Sequence, residues 1–224
     1  MAGDYEAAFA ASADFERRLD PTWRARLGAY YTPREDILLL VEPVLMQPLR
    51  REWTALQKTA TALCVGAIRE SPLQRLRDRI LRRLRTITVL DPACGAGNFL
   101  IVALHSLMAL EREVIDHPLW ANLPPETPQV HPRQLFGIEK DGAACEVARR
   151  ALHPIPPDNI RCVDAILAFA SDGTPRHPRW QTADVIISNP PFLGSRKLRP
   201  ELGDAYVESL MRLYTDSFGR HTPD

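Results

Sequence analysis

Four short apolar runs punctuate the chain, and each stops at a polar residue. Ile87-Thr88-Val89-Leu90 ends at Asp91-Pro92, and Leu135-Phe136-Gly137-Ile138 ends at Glu139. Residues 160–163 end at Asp164, and residues 184–188 end at Asn189-Pro190-Pro191. β-Branched runs of this length read as buried strands. Between them the period changes. From Asn98 to Ile115, Leu100, Leu104, Leu107 and Leu110 fall on one helical face beside Phe99 and Ala103, and residues 143–152 form a second helix. Strands alternating with helices predict a parallel sheet in an α/β fold, with helices on both faces.

Ahead of the sheet, residues 33–46 predict a helix with Pro33 at its first turn and Glu35 and Asp36 near its positive end. Residues 49–85 predict one or two more. The last of these carries Arg75, Arg77, Arg79, Arg82, Arg83 and Arg85, with Leu76, Ile80, Leu81 and Leu84 on the other face. It reads as a solvated basic face, with a DNA-facing stripe as the alternative. Residues 118–132 hold five prolines and read as a surface loop without regular structure, as do residues 172–178.

Composition narrows the class only slightly. Lys plus Arg and Asp plus Glu both number 28, so net charge points neither toward nor away from nucleic acid. No apolar run approaches the ~18 residues of a membrane span, and residues 1–15 lack the order of a signal peptide. Cys64, Cys94, Cys145 and Cys162 form no C-x-x-C pair, and the six histidines show no ligand spacing. Free thiols, a cytoplasmic setting and no structural metal are expected.

The polar residues at the strand ends carry the chemistry. In open α/β sheets ligands bind at that edge, so Asp91, Glu139, Asp164 and Asn189 are expected to share one site, although each alone could cap a helix or form a turn. In Asp91-Pro92-Ala93-Cys94-Gly95-Ala96-Gly97-Asn98-Phe99, small residues between strand and helix allow close backbone approach to a ligand. Leu100 stands where a dinucleotide fingerprint would place its third glycine, which disfavours a pyrophosphate. A ligand with an amine for Asp91 and a carboxylate for the loop amides suits the segment better. Glu139 is placed to accept from ribose hydroxyls, and Asp164 from an adenine amine.

Asn189-Pro190-Pro191-Phe192 is the strongest local signal. Two prolines fix the backbone, and the Pro190 carbonyl and the Asn189 side-chain oxygen offer two acceptors for one –NH2 group. Such acceptors favour the positive charge that develops as the nitrogen attacks an electrophilic methyl. Phe192 offers a stacking face for the base that carries the amine. A base in a duplex must flip out to reach it.

With these motifs in order, the chain resembles the γ-type adenine-N6 DNA methyltransferases of restriction–modification and phage-defence systems. Asp91 to Leu100 is similar to their first motif, and Glu139, Asp164 and Asn189 to Phe192 to later ones. Gly28-Ala29-Tyr30-Tyr31-Thr32-Pro33 is similar to the segment that closes over the cofactor. Residues 192–198 and 203–207 look like those of large enzymes that join methylation and cleavage on one chain. The resemblance spans roughly residues 28–214 and implies a Rossmann-like S-adenosylmethionine-dependent fold.

It further implies that S-adenosylmethionine is bound by Tyr30, Tyr31, Thr32, Asp91, Pro92, Ala93, Gly95, Gly97, Asn98, Phe99, Glu139, Lys140 and Asp164. Asn189, Pro190, Pro191 and Phe192 would hold a target adenine in double-stranded DNA. Residues 1–86 would be a helical region containing the closing segment 28–33, and residues 87–224 the methyltransferase core. The family's sheet has seven strands and four are legible, so the fourth is expected to present an unpaired apolar edge. The chain is accordingly expected to be a fragment, a split gene product completed by a second chain, or a remnant, and inactive alone. Two other readings compete. Release-factor glutamine methyltransferases share an Asn-Pro-Pro-aromatic motif, so the acceptor could be a protein glutamine or an RNA amine, and a non-catalytic cofactor-binding remnant would keep the first motifs.

Overall fold

The computed structural model describes residues 2–20, 32–65 and 70–218. Its order is α1 (Ala2–Arg18), α2 (Arg34–Val41), a π-helical stretch (Glu42–Met46), α3 (Gln47–Val65), α4 (Glu70–Thr86), β1 (Val89–Asp91), α5 (Asn98–Ile115), β2 (Leu135–Glu139), α6 (Gly142–Ala151), β3 (Ile160–Cys162), β4 (Ala168–Phe169), β5 (Pro175–Arg176), β6 (Val185–Ile186), α7 (Ser195–Leu202) and α8 (Asp204–Phe218).

The four expected strands form one parallel sheet in the order β3-β2-β1-β6. This is the α/β arrangement the alternation implies, a partial Rossmann-like sheet flanked by helices. Asp184 pins the start of β6 to β1, since its Oδ2 accepts from both the N–H and the hydroxyl of Thr88, at 2.8 and 2.9 Å. Among the described residues β6 pairs with β1 alone, and Ile186 is 53% exposed. The unpaired apolar edge is therefore present. The connection from β3 to β6 runs through a β4–β5 hairpin rather than a helix.

The core follows from α5, which lies at the centre of the molecule. Leu100, Leu104, Leu107 and Leu110 are buried, but so are Ile101, Val102, Glu111 and Val114, because α1, α2 and α4 all pack on it. Ile37, Val41, Leu45, Met46, Ile80, Leu81 and Leu84 join the same core as Val89, Leu135 and Ile160. Burying each such aliphatic side chain contributes about 1.5–3 kcal/mol. The helical region and the sheet thus share one hydrophobic interior.

Three expectations are corrected in detail. Residues 34–65 run on as helix, without a break near residue 47. Pro43 lacks an N–H, and the turn widens around it, with Gln47 N–H donating to the Glu42 carbonyl, an i→i−5 bond. The proline-rich stretch 118–132 is not structureless. Pro118–Trp120 and Pro132–Gln134 are 3-10 turns, and Trp120 and Val130 are buried. Glu111, fully buried, holds the stretch by accepting from Gln129 N–H, Val130 N–H and Arg85 Nε. Finally, residues 172–178 include strand β5, which pairs with β4 across the turn at Asp172-Gly173.

The arginines of α4 divide. Arg77 is 3% exposed and donates to the Pro124 carbonyl at 2.7 Å, while Arg85 joins Glu111 and Glu126. These two fasten the proline-rich stretch and are neither solvated nor free for a polyanion. Arg79 and Arg83 bridge to Glu52 and Asp184.

Candidate active site

The carboxyl ends of β1, β2, β3 and β6 lie along one edge of the sheet, and the parallel register brings Asp91, Glu139, Asp164 and Asn189 to it. Asp91, at the end of β1, is 1% exposed. Its Oδ1 accepts from Ala93 N–H at 3.0 Å and from the Ser188 hydroxyl at 2.7 Å, whereas Oδ2 has no partner. Burial pushes its carboxyl up to about 7 against those two hydrogen bonds, with Glu139 and Glu16 adding like charge.

Glu139 ties two turns together. Its Oε2 accepts from Gly95 N–H at 2.9 Å, and its Oε1 accepts from Lys140 N–H and Asp141 N–H at 2.7 Å. The carboxylate therefore locks the glycine loop to the end of β2. Gly95 (φ +52) and Gly97 (φ +93) take backbone conformations that side chains disfavour, and a Cβ on Gly97 would lie 3.3 Å from the Ala148 methyl on α6. Pro92 and Ala93 are half-buried in this turn, and Asn98 and Phe99 open α5 as buried residues.

Asp164 is held from several sides. Its Oδ1 accepts from Ile166 and Leu167 N–H, and its Oδ2 accepts from Lys140 Nζ at 3.0 Å and from the Tyr206 hydroxyl at 2.8 Å. Partial burial alone would raise its pKa, but these hydrogen bonds together hold it below the usual carboxylate range. Lys140 also sits 4.6 Å from the centre of the Tyr206 ring. Helix α8 thereby fastens onto the end of β3. Beside Asp164 a cleft of about 780 Å³ is lined by Arg161, Leu167, Arg176, His177 and Arg179 among others.

The segment 189–192 lies open to solvent, and Phe192 is 82% exposed. Asn189 Nδ2 donates to the Thr32 hydroxyl at 3.3 Å, so the end of the expected closing segment meets the expected catalytic asparagine. Tyr30 and Tyr31 lie outside the described residues.

Sequence reasoning missed Glu16. It lies on α1, and its Oε2 accepts from Asn98 Nδ2 at 2.7 Å while Oε1 accepts from Ala96 N–H at 3.4 Å. Ser12, one turn earlier, donates to the Ala96 carbonyl at 2.7 Å. Burial pushes the Glu16 carboxyl up to about 7, partly offset by the Ala96 and Asn98 hydrogen bonds and assisted by Glu139. The signal was available. Tyr5, Phe9, Ser12, Ala13 and Glu16 recur at helical spacing and mark a helix with Glu16 on its inward face.

The site thus consists of a parallel sheet edge with a glycine turn after β1, acidic residues at the ends of β2 and β3, and Asn-Pro-Pro-Phe after β6. Residues 67–158 match the family model described as "MmeI, DNA-methyltransferase domain". That match takes in α4 through α6 and covers less than half of the chain. The chain is 26% identical over 208 residues to DNA methyltransferase A of Bacillus subtilis (strain 168), a match covering 80% of this chain. It spans only 21% of that relative's length. The solved structure of the type IIL restriction–modification enzyme MmeI in complex with DNA is 29% identical over 60% of this chain and 17% of that one. The TM-score is 0.47.

Proposed function

We propose that this chain is the cofactor-binding and catalytic-motif portion of an enzyme that transfers a methyl group from S-adenosylmethionine to the N6 amine of an adenine flipped out of double-stranded DNA, within a restriction–modification or defence system. One observation carries the reading. The Ser188–Asp91 hydrogen bond sets Asn189-Pro190-Pro191-Phe192 directly beside the glycine loop, so cofactor and target amine would meet across two adjacent strands.

The residues fit this cofactor. Asp91 Oδ2 is a buried acceptor without a donor, and an amino-acid ammonium supplies one. Glu139 Oε2 accepts one hydrogen bond and has room for a ribose hydroxyl, and Asp164, whose oxygens already accept four, would have to exchange the Lys140 or Tyr206 bond to receive an adenine amine. Pro92, Ala93, Gly95, Gly97, Asn98, Phe99 and Lys140 would shape the remainder, and Thr32, with Tyr30 and Tyr31 from the segment whose sequence carries the resemblance, would hold the cofactor. When bound, S-adenosylmethionine supplies an electrophilic methyl on a positively charged sulfur.

Asn189 Oδ1 and the Pro190 carbonyl accept from the target amine and stabilise positive charge as its lone pair turns toward the methyl. Pro191 holds that geometry, and Phe192 stacks on the flipped base, which accounts for so large an exposed aromatic. The alkylated nitrogen then loses a proton to water, so no strong base is required of the chain.

In this account residues 1–86 are the helical cover and residues 87–224 the catalytic core. The open β6 edge takes further strands, either from a second chain or from more of the same polypeptide. Among the described residues no helix is long and apolar enough to cross a membrane, and the setting proposed is the cytoplasm.

Sequencing genomic DNA from cells expressing the full enzyme tests the reading. Motif-specific N6-methyladenine that disappears in Asn189→Ala supports it. Methylated glutamine in a protein, with unmodified DNA, overturns it in favour of the glutamine-methyltransferase reading.

A further inference from the structure

Helix α1 places a carboxylate over the glycine loop that neither the family match nor the strand-end motifs assign. Glu16 Oε1 lies 3.0 Å from where a Cβ on Gly95 would stand, and its two oxygens meet Ala96 N–H and Asn98 Nδ2. Around the same turn lie Asp91 and Glu139: Glu139 and Glu16 both disfavour ionisation of Asp91, and Glu139 disfavours that of Glu16. Three carboxylates around one turn repel one another unless a positive charge enters among them.

The hydrogen bonding of the turn says what is missing. Two buried acceptors there have no donor: Asp91 Oδ2, on a residue 1% exposed, and Asn98 Oδ1, on a residue 3% exposed. Asn98 spends its Nδ2 on Glu16 and leaves its oxygen unpartnered. An unmade hydrogen bond to a buried polar group costs about 1–3 kcal/mol, so a positively charged group with several N–H donors suits a turn that holds such acceptors beside Glu16. A primary ammonium has three donors and one charge.

We infer that Glu16 is a cofactor-binding residue, which joins Asp91 and Asn98 in a socket for the ammonium of the cofactor's amino-acid tail, so that α1 is the wall of the cofactor site. The inference rests on the proposed cofactor and adds the residue and the ligand group it reads. Ser12 and the Ala96 carbonyl fix the pitch of α1 on the loop, so Glu16 is aimed from a rigid helix and not from a mobile tail. Sequence distance hides the contact, since Glu16 and Asn98 are 82 positions apart.

The test uses two ligands and one conservative variant. S-Adenosylhomocysteine carries the ammonium, and 5′-methylthioadenosine has the same nucleoside without the amino-acid tail. Calorimetry on wild type and Glu16→Gln, with circular dichroism to show that both are folded, reads the two affinities. The expected result is a tenfold or greater loss of S-adenosylhomocysteine affinity in Glu16→Gln, with 5′-methylthioadenosine affinity unchanged. Equal affinity of both proteins for S-adenosylhomocysteine overturns the inference while leaving the proposed cofactor intact. Tighter binding by the variant also overturns it, and would make Glu16 a plug that the ligand displaces. Equal loss for both ligands assigns Glu16 a structural role and overturns it too. If folded wild type binds neither ligand, the cofactor proposal itself fails.

Discussion

The hydroxyl of Ser188 donates to Oδ1 of Asp91 at 2.7 Å, joining the residue before the Asn-Pro-Pro-Phe motif to the carboxylate that ends the first strand. One hydrogen bond therefore spans the two halves of the proposed reaction. A bond to a carboxylate in a buried setting is worth about 1.5–3 kcal/mol. Ser188→Ala is expected to lower unfolding free energy by roughly that amount in urea titrations. It should also raise the Asp91 pKa further, because the Ser188 bond is the foremost influence holding it down. No change in urea midpoint would show that the bond is absent in solution.

The acid pair Asp91 and Glu16 sets the pH dependence of the ligand-free protein. Both carboxyls lie near 7 when folded, against ordinary values near 4. The folded chain thus binds protons that the unfolded chain releases, and stability falls as pH rises from about 4 to about 7. Below that window the penalty vanishes. Melting temperature followed from pH 5 to pH 8 should decline, and Glu16→Gln should flatten the decline. A bound cofactor bearing an ammonium should weaken the decline.

Glu111 is expected to be the least replaceable carboxylate of the fold. It is fully buried and bonds Arg85 and two backbone N–H groups. Removing one partner of a buried ion pair costs about 3–5 kcal/mol. Glu111→Ala should therefore lose a large share of stability, with limited proteolysis cutting first within residues 121–130. Retained resistance to protease would mean that the stretch is anchored elsewhere.

Gly97→Ala tests the turn itself. The residue sits at φ +93, and a Cβ would press on Ala148 at 3.3 Å. A left-handed conformation costs a non-glycine residue roughly 1–2 kcal/mol before any contact is counted. The expected outcome is a loss of at least that size in denaturant midpoint and weaker cofactor binding.

The strands, α5, α6 and the edge where Asp91, Glu139, Asp164 and Asn189 assemble were all legible, because alternation of period and the polar stops at strand ends are local signals. What escaped depended on contacts distant in sequence. Glu16 meets Asn98 only because α1 packs across α5 and α6, a docking visible in sequence just as a sparse stripe from Tyr5 to Glu16. Arg77 and Arg85 look like members of a basic face until Glu111, Glu126 and the Pro124 carbonyl are brought to them. Prolines in residues 118–132 conceal an ordered stretch because its order comes from a buried carboxylate 18 residues earlier and not from its own periodicity. Pro43 misleads in the opposite way, since a π turn absorbs it without breaking the helix.

On the proposed function, this chain holds S-adenosylmethionine over the glycine loop with Asp91 at its amine. Titrating the cofactor into the purified chain by calorimetry, beside Asp91→Ala shown to be folded, tests it most directly. Saturable binding at one site is expected in the wild type, and its loss in the variant. Folded wild type that takes up no cofactor, or a variant that binds as tightly as wild type, would contradict it.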